Sequence, residues 1–314
     1  MAFEASGGRF GVPGILSGEC LFLSSKSLVA ILLLLAVSAC RKEAAPVAAA
    51  TDDFGDPIVV KAVPQRVVSL NPATTDIVFA LGAGDRLVGR THWDTWPAEA
   101  LSVPDLGSGI RPDVEAVLGA RPDLVLLYAS NDNRSAASDF RAAGVNTLAL
   151  KIDSIAEFYR AARMIGTLLG DSARGVAVAD SVKKTLERVR AATASLARPT
   201  VFWHVWDAPL ITIARGSYMN ELVEIAGGTN IYADLEDASP MVSIEDVLRR
   251  RPDYIITGPQ GAEKIAKDPR WAESPAVKAG KVVVADTMLV GRPSVRLGEA
   301  AVSLARLLHP GSFR

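Results

Sequence analysis

Residues Glu115–Asp123 read "EAVLGARPD", and residues Glu245–Asp253 read "EDVLRRRPD". Six of the nine positions are identical: Glu, Val, Leu, Arg, Pro and Asp. Each block runs into an apolar segment, "LVLLY" after the first and "YIITG" after the second. Two residues before each Glu stands a side chain suited to cap a helix, Asp113 or Ser243. Each block therefore predicts a short helix, a stop at Arg-Pro and a strand. The same supersecondary unit met twice in one chain predicts two similar α/β lobes.

The surroundings agree with that reading. "RVVSL" (Arg66–Leu70) is a run suited to a buried strand, and Asn71-Pro72 opens a helix through "ATTDIVFAL" that Gly82 and Gly84 end. "DLVLLY" and "VNTLAL" are further strands with a helical stretch between them. Strands alternating with helices predict parallel sheets covered on both faces. Ser154 to Leu169 reads as a helix, interrupted by Gly170-Asp171. A second long helix follows, with Val182, Leu186, Val189 and Leu196 at helical spacing, to a stop at Arg198-Pro199. Beyond it come "TVFWHVW", a helix through "MNELVEIAG", then "DYIITG" and "KVVVAD". The predicted fold class is α/β: two lobes with parallel sheets, residues 61–170 and 198–310, joined by a single long α-helix over 171–197, with a ligand cleft between the lobes.

The first residues read as targeting rather than fold. "LVAILLLLAVSA" (Leu28–Ala39) follows Lys26 and is too short to span a bilayer as a helix. It fits the apolar region of a secretory signal, placed at residues 1–39. Val37-Ser38-Ala39-Cys40 resembles the bacterial lipobox, in which the Cys is acylated and becomes the mature N-terminus. Cys20 and Cys40 are the only cysteines, so removal of the signal leaves Cys40 with no disulfide partner. Lipidation at Cys40 accounts for it, and the chain is expected to be exported and lipid-anchored at the cell envelope. The Ala-rich "RKEAAPVAAATDDFGD" (Arg41–Asp56) reads as a flexible tether, so residues 40–60 are assigned to the lipidated Cys and tether.

Composition narrows the function. A formal net charge of −1 without long single-sign runs gives no electrostatic reason to expect nucleic acid. The chain lacks a G-x-S-x-G elbow and a G-x-x-x-x-G-K-[ST] loop, and its three His are not at metal-ligand spacing. A catalytic site, a resident metal and a cofactor are therefore not expected. Aromatics gather instead in "THWDTWP" (Thr91–Pro97) and "FWHVWD" (Phe202–Asp207), which hold four of the five Trp. Ligands of open α/β sheets sit beyond the carboxyl ends of the strands, where Trp93 and Trp206 are placed best. Alternation along a strand separates Trp203 from His204.

Taken as a set, "RVVSLNPATTDIVFALGAGDRLVGRT", the lipobox, the doubled E-x-V-L-x-x-R-P-D and "EIAGGTNIY" resemble the substrate-binding proteins of ABC importers for vitamin B12, ferric siderophores and haem. The resemblance covers about Pro64 to His309. It implies two lobes joined by a stiff helix, a ligand in the cleft, and one Glu per lobe, here Glu115 and Glu245, docking onto arginines of a permease dimer. It implies a monomer that closes little on its ligand. The Tyr that haem binders place just before the first docking Glu is missing from "DLGSGIRPDVE". The tryptophans that some B12 binders place before each Glu are missing from "GSGIRP" and "DASPMV". "THWDTWP" does resemble the B12 binders' aromatic loop. A cobalt corrinoid is the expected cargo, with a ferric siderophore as the alternative and Arg90, Arg215, Arg292 and Arg296 as the cations that could serve it. An enzyme or sensor domain on the same lobes is the alternative of another class. Expected ligand-binding residues are Trp93, Trp206, His92, His204, Trp96, Asn71, Thr74, Tyr128 and Arg292.

Overall fold

A computed structural model describes residues 48–311. The signal sequence, Cys40 and the first part of the tether lie outside the described residues. Two four-stranded parallel sheets organise the rest. In the first lobe, β3 (Val67–Leu70), β4 (Leu87–Gly89), β5 (Leu124–Tyr128) and β6 (Asn146–Leu150) lie in the order β4-β3-β5-β6. In the second, β7 (Thr200–Trp203), β10 (Thr229–Asn230), β11 (Tyr254–Thr257) and β12 (Val282–Val284) lie in the order β10-β7-β11-β12. In both, the first strand of the lobe sits between the second and the third. A two-stranded hairpin, β8 (Trp206–Asp207) with β9 (Leu210–Ile211), decorates the second lobe.

The repeated motif builds the same joint twice. Helix α2 (Val114–Gly119) is capped by Asp113, and α7 (Ile244–Arg250) by Ser243. Both blocks then turn on their Arg: Arg121 and Arg251 have φ of 50° and 52°, the left-handed conformation that reverses the chain into the next strand. The repeated Asp fastens that strand to the start of its lobe. Asp123 accepts from the amides of Gln65 and Arg66 at 2.8 and 3.0 Å, and Asp253 accepts from the Thr200 amide at 2.8 Å. Four of the six matching positions thus have a structural duty: the buried Val117 or Val247, Leu118 or Leu248 packed against the same apolar cluster, the Arg at the left-handed turn, and the Asp.

In the first lobe, α1 (Pro72–Ala80) follows β3 with Asn71 as its cap, and α3 (Arg134–Ala142) stands between β5 and β6. Helix α4 (Ile155–Leu168) begins in a capping box formed by Ser154 and Glu157. Helix α5 (Ser172–Thr193) runs from the first lobe to the second, packing on α4, on α6 (Tyr218–Ile225) and on the C-terminal helix α11 (Leu297–Leu308). It buries Gly175, Ala179, Val182, Leu186, Val189 and Thr193, a stripe at spacings of three and four. Helices α4 and α5 cross closely: a Cβ on Gly166 would lie 2.7 Å from the Gly175 Cα.

Two expectations are corrected. The tether ends before Ala48, because β1 (Ala48–Thr51) and β2 (Pro57–Val60) form an antiparallel hairpin against the first lobe. Ile58 and Val60 bury alternate positions, and the buried Asp52 carboxylate pairs with Arg141 and accepts from the Ala149 amide. The connecting helix stops at Thr193, short of the expected 197. There the Thr193 hydroxyl donates to the Ile225 carbonyl at 2.9 Å, and Leu196 is only half-buried.

The remaining helices, α8 (Pro259–Lys267), α9 (Pro275–Lys278) and α10 (Thr287–Val290), belong to the second lobe. Buried side chains from both lobes join through α4 and α5 in one core, with a smaller apolar cluster behind each sheet.

Candidate ligand-binding site

Each lobe carries a hollow at the carboxyl ends of its strands. In the first, Leu70 and Asn71 from the end of β3, Thr91 and Trp93 from beyond β4, and Tyr128 from the end of β5 meet Gly109 and Ile110 around a cavity of about 230 Å³. Trp93 is 64% exposed and Ile110 is 61% exposed, although both are large and apolar. The loop bearing Ile110 is pinned from beneath by Asn133. Its amide nitrogen donates to the carbonyls of Gly109 and Tyr128 at 2.9 and 3.0 Å, and its oxygen accepts from the Arg111 amide at 3.0 Å.

The second hollow, about 580 Å³, is lined by Trp203, His204 and Trp206 around β7 and β8, Thr257 and Gly258 at the end of β11, and Ala285 and Gly291 beyond β12. Trp206 is 57% exposed, and its ring faces the Lys264 ammonium at 5.7 Å. Met241 is 72% exposed. It stands in register with Ile211, whose other partner is Trp206, so the three share one face.

His204 forms the buried floor of this second hollow. One ring nitrogen lies 2.9 Å from the Thr257 hydroxyl and the other 2.9 Å from the Asp207 carboxylate. Burial lowers its pKa, and Asp207 offsets this only in part, so the ring is neutral at neutral pH. Burial works to raise Asp207, but the hydrogen bond and charge of Lys264, 2.5 Å away, and the hydrogen bond with His204 hold it below the usual carboxylate range.

Charged side chains join the two hollows. Asp76, on α1 one turn beyond Asn71, accepts from Arg292, the residue after Gly291, at 3.3 Å (Nε) and 3.4 Å (Nη2). Asp76 is 1% exposed. Burial raises its pKa to about 7 even though Arg292 pulls it down. A second contact spans the lobes: the Arg296 guanidinium lies 5.2 Å from the centre of the Trp96 ring. Since Asn71 lines one hollow and Gly291 the other, the ion pair ties their adjoining edges, and the hollows flank one junction.

The expected site residues divide by what they touch. Trp93, Asn71 and Tyr128 line the first hollow, and Trp206 and His204 the second. His92 is exposed with its ring 4.7 Å from that of Trp93. Trp96 is half-buried at the lobe junction, and Arg292 is taken up by Asp76. Thr74 is fully buried, its hydroxyl 2.7 Å from that of Ser69 and 2.9 Å from the Asn71 carbonyl, so it supports the cap and does not reach the hollow. His204 has both nitrogens hydrogen-bonded to protein partners, Thr257 and Asp207. Glu115 and Glu245 are exposed in the first turns of α2 and α7. Asp76, Asn133, Asp207 and Lys264 were not singled out from the sequence, because each draws its role from a partner distant in the chain.

Among the described residues, no group of three or more His, Cys, Asp and Glu is gathered to hold a metal ion. No helix among them is long and apolar enough to cross a membrane.

Two lobes of equal topology, each with a hollow at its strand ends and one long helix between them, are a solute-binding architecture. The family pattern of the periplasmic binding proteins matches residues 67–288. The chain belongs to that family. The family is one of solute-binding proteins. Similar proteins include an uncharacterized ABC transporter substrate-binding lipoprotein, YvrC, of Bacillus subtilis, 31% identical over 84% of this chain and 86% of that one. The vitamin B12-binding protein of Vibrio cholerae is 27% identical over 78% of this chain and 89% of its own. Among solved structures, the periplasmic vitamin B12 binding protein BtuF of Vibrio cholerae superposes with a TM-score of 0.69 at 26% identity, covering 78% of this chain and 97% of that one. The periplasmic heme-binding protein RhuT from Roseiflexus gives a TM-score of 0.71 at 25% identity, covering 79% and 99%. This member of the periplasmic binding proteins is a substrate-binding protein of the ABC-transporter type.

Proposed function

We propose that this protein captures a cobalamin-like corrinoid between its lobes and delivers it to an ABC permease. The supporting observation is the pair of exposed tryptophans, Trp93 and Trp206, each standing at the mouth of a hollow at the strand ends of its own lobe. Ile110 and Met241 extend both surfaces with apolar area that a soluble protein rarely leaves uncovered without a use. Flat, mostly apolar faces suit a large ring, and the cobalt would arrive as part of the cargo.

Charge favours the corrinoid over a ferric siderophore. A catecholate siderophore is highly anionic and needs cations to meet it. Here Arg292 pairs with Asp76, Lys264 with Asp207, Arg296 with Glu299 and Arg215 with Glu236. Arg90 is buried and donates to the carbonyls of Ala100 and Thr91, both at 2.8 Å. Each cation that could have served such a ligand is already compensated.

Glu115 and Glu245 are read as the permease contacts, one on each lobe, and Cys40 as the lipid anchor at the cell envelope. The protein acts as a monomeric carrier and not as an enzyme. Calorimetric titration of the purified protein with cyanocobalamin tests the cargo. Tight binding that weakens about tenfold or more in Trp93→Ala and in Trp206→Ala is expected. A folded parent that does not bind cyanocobalamin would overturn the corrinoid reading, and ferric siderophores would be titrated next.

A further inference from the structure

Arg292 stands beside the second hollow, where a ligand-contacting cation would be expected, yet its guanidinium is turned across the junction to a carboxylate of the other lobe. Asp76 is 1% exposed and has no ligand-facing surface. The pair is flanked by short segments leading directly to the two hollows: Asn71 and Pro72 on one side, Val290 and Gly291 on the other. We infer that Asp76 and Arg292 form a clamp between the lobes that sets the separation of the two hollows, so that both are positioning residues and neither contacts the ligand.

The physical ground is the burial of this pair. A buried carboxylate facing one guanidinium is held strongly in place, because breaking the contact leaves a charge without water or partner. The other charged groups acting on Asp76 are Arg296, from the start of α11, and Asp94, from the loop after β4. Tyr218 of α6 lies near Arg292, and its hydroxyl donates to the Val290 carbonyl at 2.5 Å, fixing the segment from which Arg292 departs. Asp94 opposes ionisation of Asp76, whereas Arg292 and Arg296 favour it.

A carboxylate whose pKa lies at about 7 is largely ionised at pH 8 and largely neutral at pH 6. Opening the junction to water would return Asp76 toward its ordinary value of 3.8, so the closed junction holds the proton, is favoured as pH falls through 7 and loosens as pH rises. This conclusion about lobe spacing stands independently of the cargo, so its test needs no ligand.

The measurement is the distribution of distances between spin labels at Glu115→Cys and Glu245→Cys, one per lobe, in the full chain with Cys20→Ser and Cys40→Ser. The parent is expected to show a narrow distribution at pH 6 that broadens at pH 8. Asp76→Asn, which cannot titrate, should show the same width at both pH values, Arg292→Gln should be broad at both, and Arg292→Lys should recover part of the narrowing, since it keeps the charge without the forked geometry. Cyanocobalamin affinity should follow the same order. Identical distributions in the parent, Asp76→Asn and Arg292→Gln, with no change between pH 6 and 8, would overturn the clamp. If Asp76→Asn does not fold, Arg292→Gln and the pH comparison of the parent decide the matter alone. Loss of cyanocobalamin binding with an intact distance response would instead count against the corrinoid reading.

Discussion

Asp76 of the first lobe and Arg292 of the second meet at 3.3 Å across 216 positions of sequence, with the carboxylate almost completely buried. Burial raises the pKa of Asp76 from 3.8 to about 7, so between those values the folded protein holds a proton that the unfolded chain has released. Stability from this group is greatest below about pH 4, falls as pH rises to about 7, and is level above that. The full window amounts to an effect on the order of 4 kcal/mol. Denaturant titrations at several pH values should show the parent losing stability relative to Asp76→Asn between pH 5 and 7, and a constant difference from pH 8 upward. Parallel curves for the two proteins would refute the assignment.

Glu115 and Glu245 make a contrasting case. Both are exposed, so Glu115→Ala and Glu245→Ala should each change stability by less than about 0.5 kcal/mol. Ligand affinity should be unchanged, while transport in a reconstituted importer should fall, and further in the double variant. Undiminished transport by the double variant would refute the docking role.

The crossing of α4 and α5 leaves no room for a methyl group. Gly166→Ala places its Cβ 2.7 Å from a backbone atom of Gly175. Alanine is the better helix former by about 1 kcal/mol, so propensity alone predicts stabilisation. Overpacking at a backbone contact outweighs it, and the melting temperature is expected to drop by an amount equivalent to about 1–3 kcal/mol. A raised melting temperature would mean that the helices separate at little cost.

Asp52 anchors the hairpin that the sequence disguised as tether. Its buried carboxylate pairs with Arg141 and accepts from the amides of Phe54, Asp56 and Ala149. Asp52→Ala leaves three amides without their acceptor and Arg141 with Asp56 as its remaining ion-pair partner, and should cost about 1–3 kcal/mol. Limited proteolysis should then cut between residues 48 and 60 at a rate at which the parent resists.

Trp203 and Trp206 show where sequence reading stops. They are three residues apart in one aromatic run and both line the second hollow, yet the first is a buried wall, 5% exposed, and the second stands 57% exposed at its mouth. Strand alternation puts Phe202 and His204 on one face, their rings 6.4 Å apart, but at the end of the strand Trp203 and His204 both still line the second hollow. The end of β7 at Trp203 and the start of β8 at Trp206 were not legible, because that break depends on pairing with β9 and with Met241.

The sequence by itself determined what depends on neighbours along the chain. The repeated helix–Arg-Pro–strand unit, the caps at Asn71, Asp113, Ser154 and Ser243, and the helix stop at Gly82 all act within a few residues, where backbone geometry and capping decide the outcome. Repetition of that local code was enough to give two like lobes. Only the tertiary structure decided which charges are spent on one another. Arg292 looked available until Asp76 met it, both nitrogens of His204 are taken by Thr257 and Asp207 while its ring lines the hollow, and the Ala-rich tether became a hairpin once Arg141 met Asp52. The physical reason is that burial makes an unpaired charge or polar group costly, so its partner is fixed by the packing of distant elements and leaves no mark in local sequence.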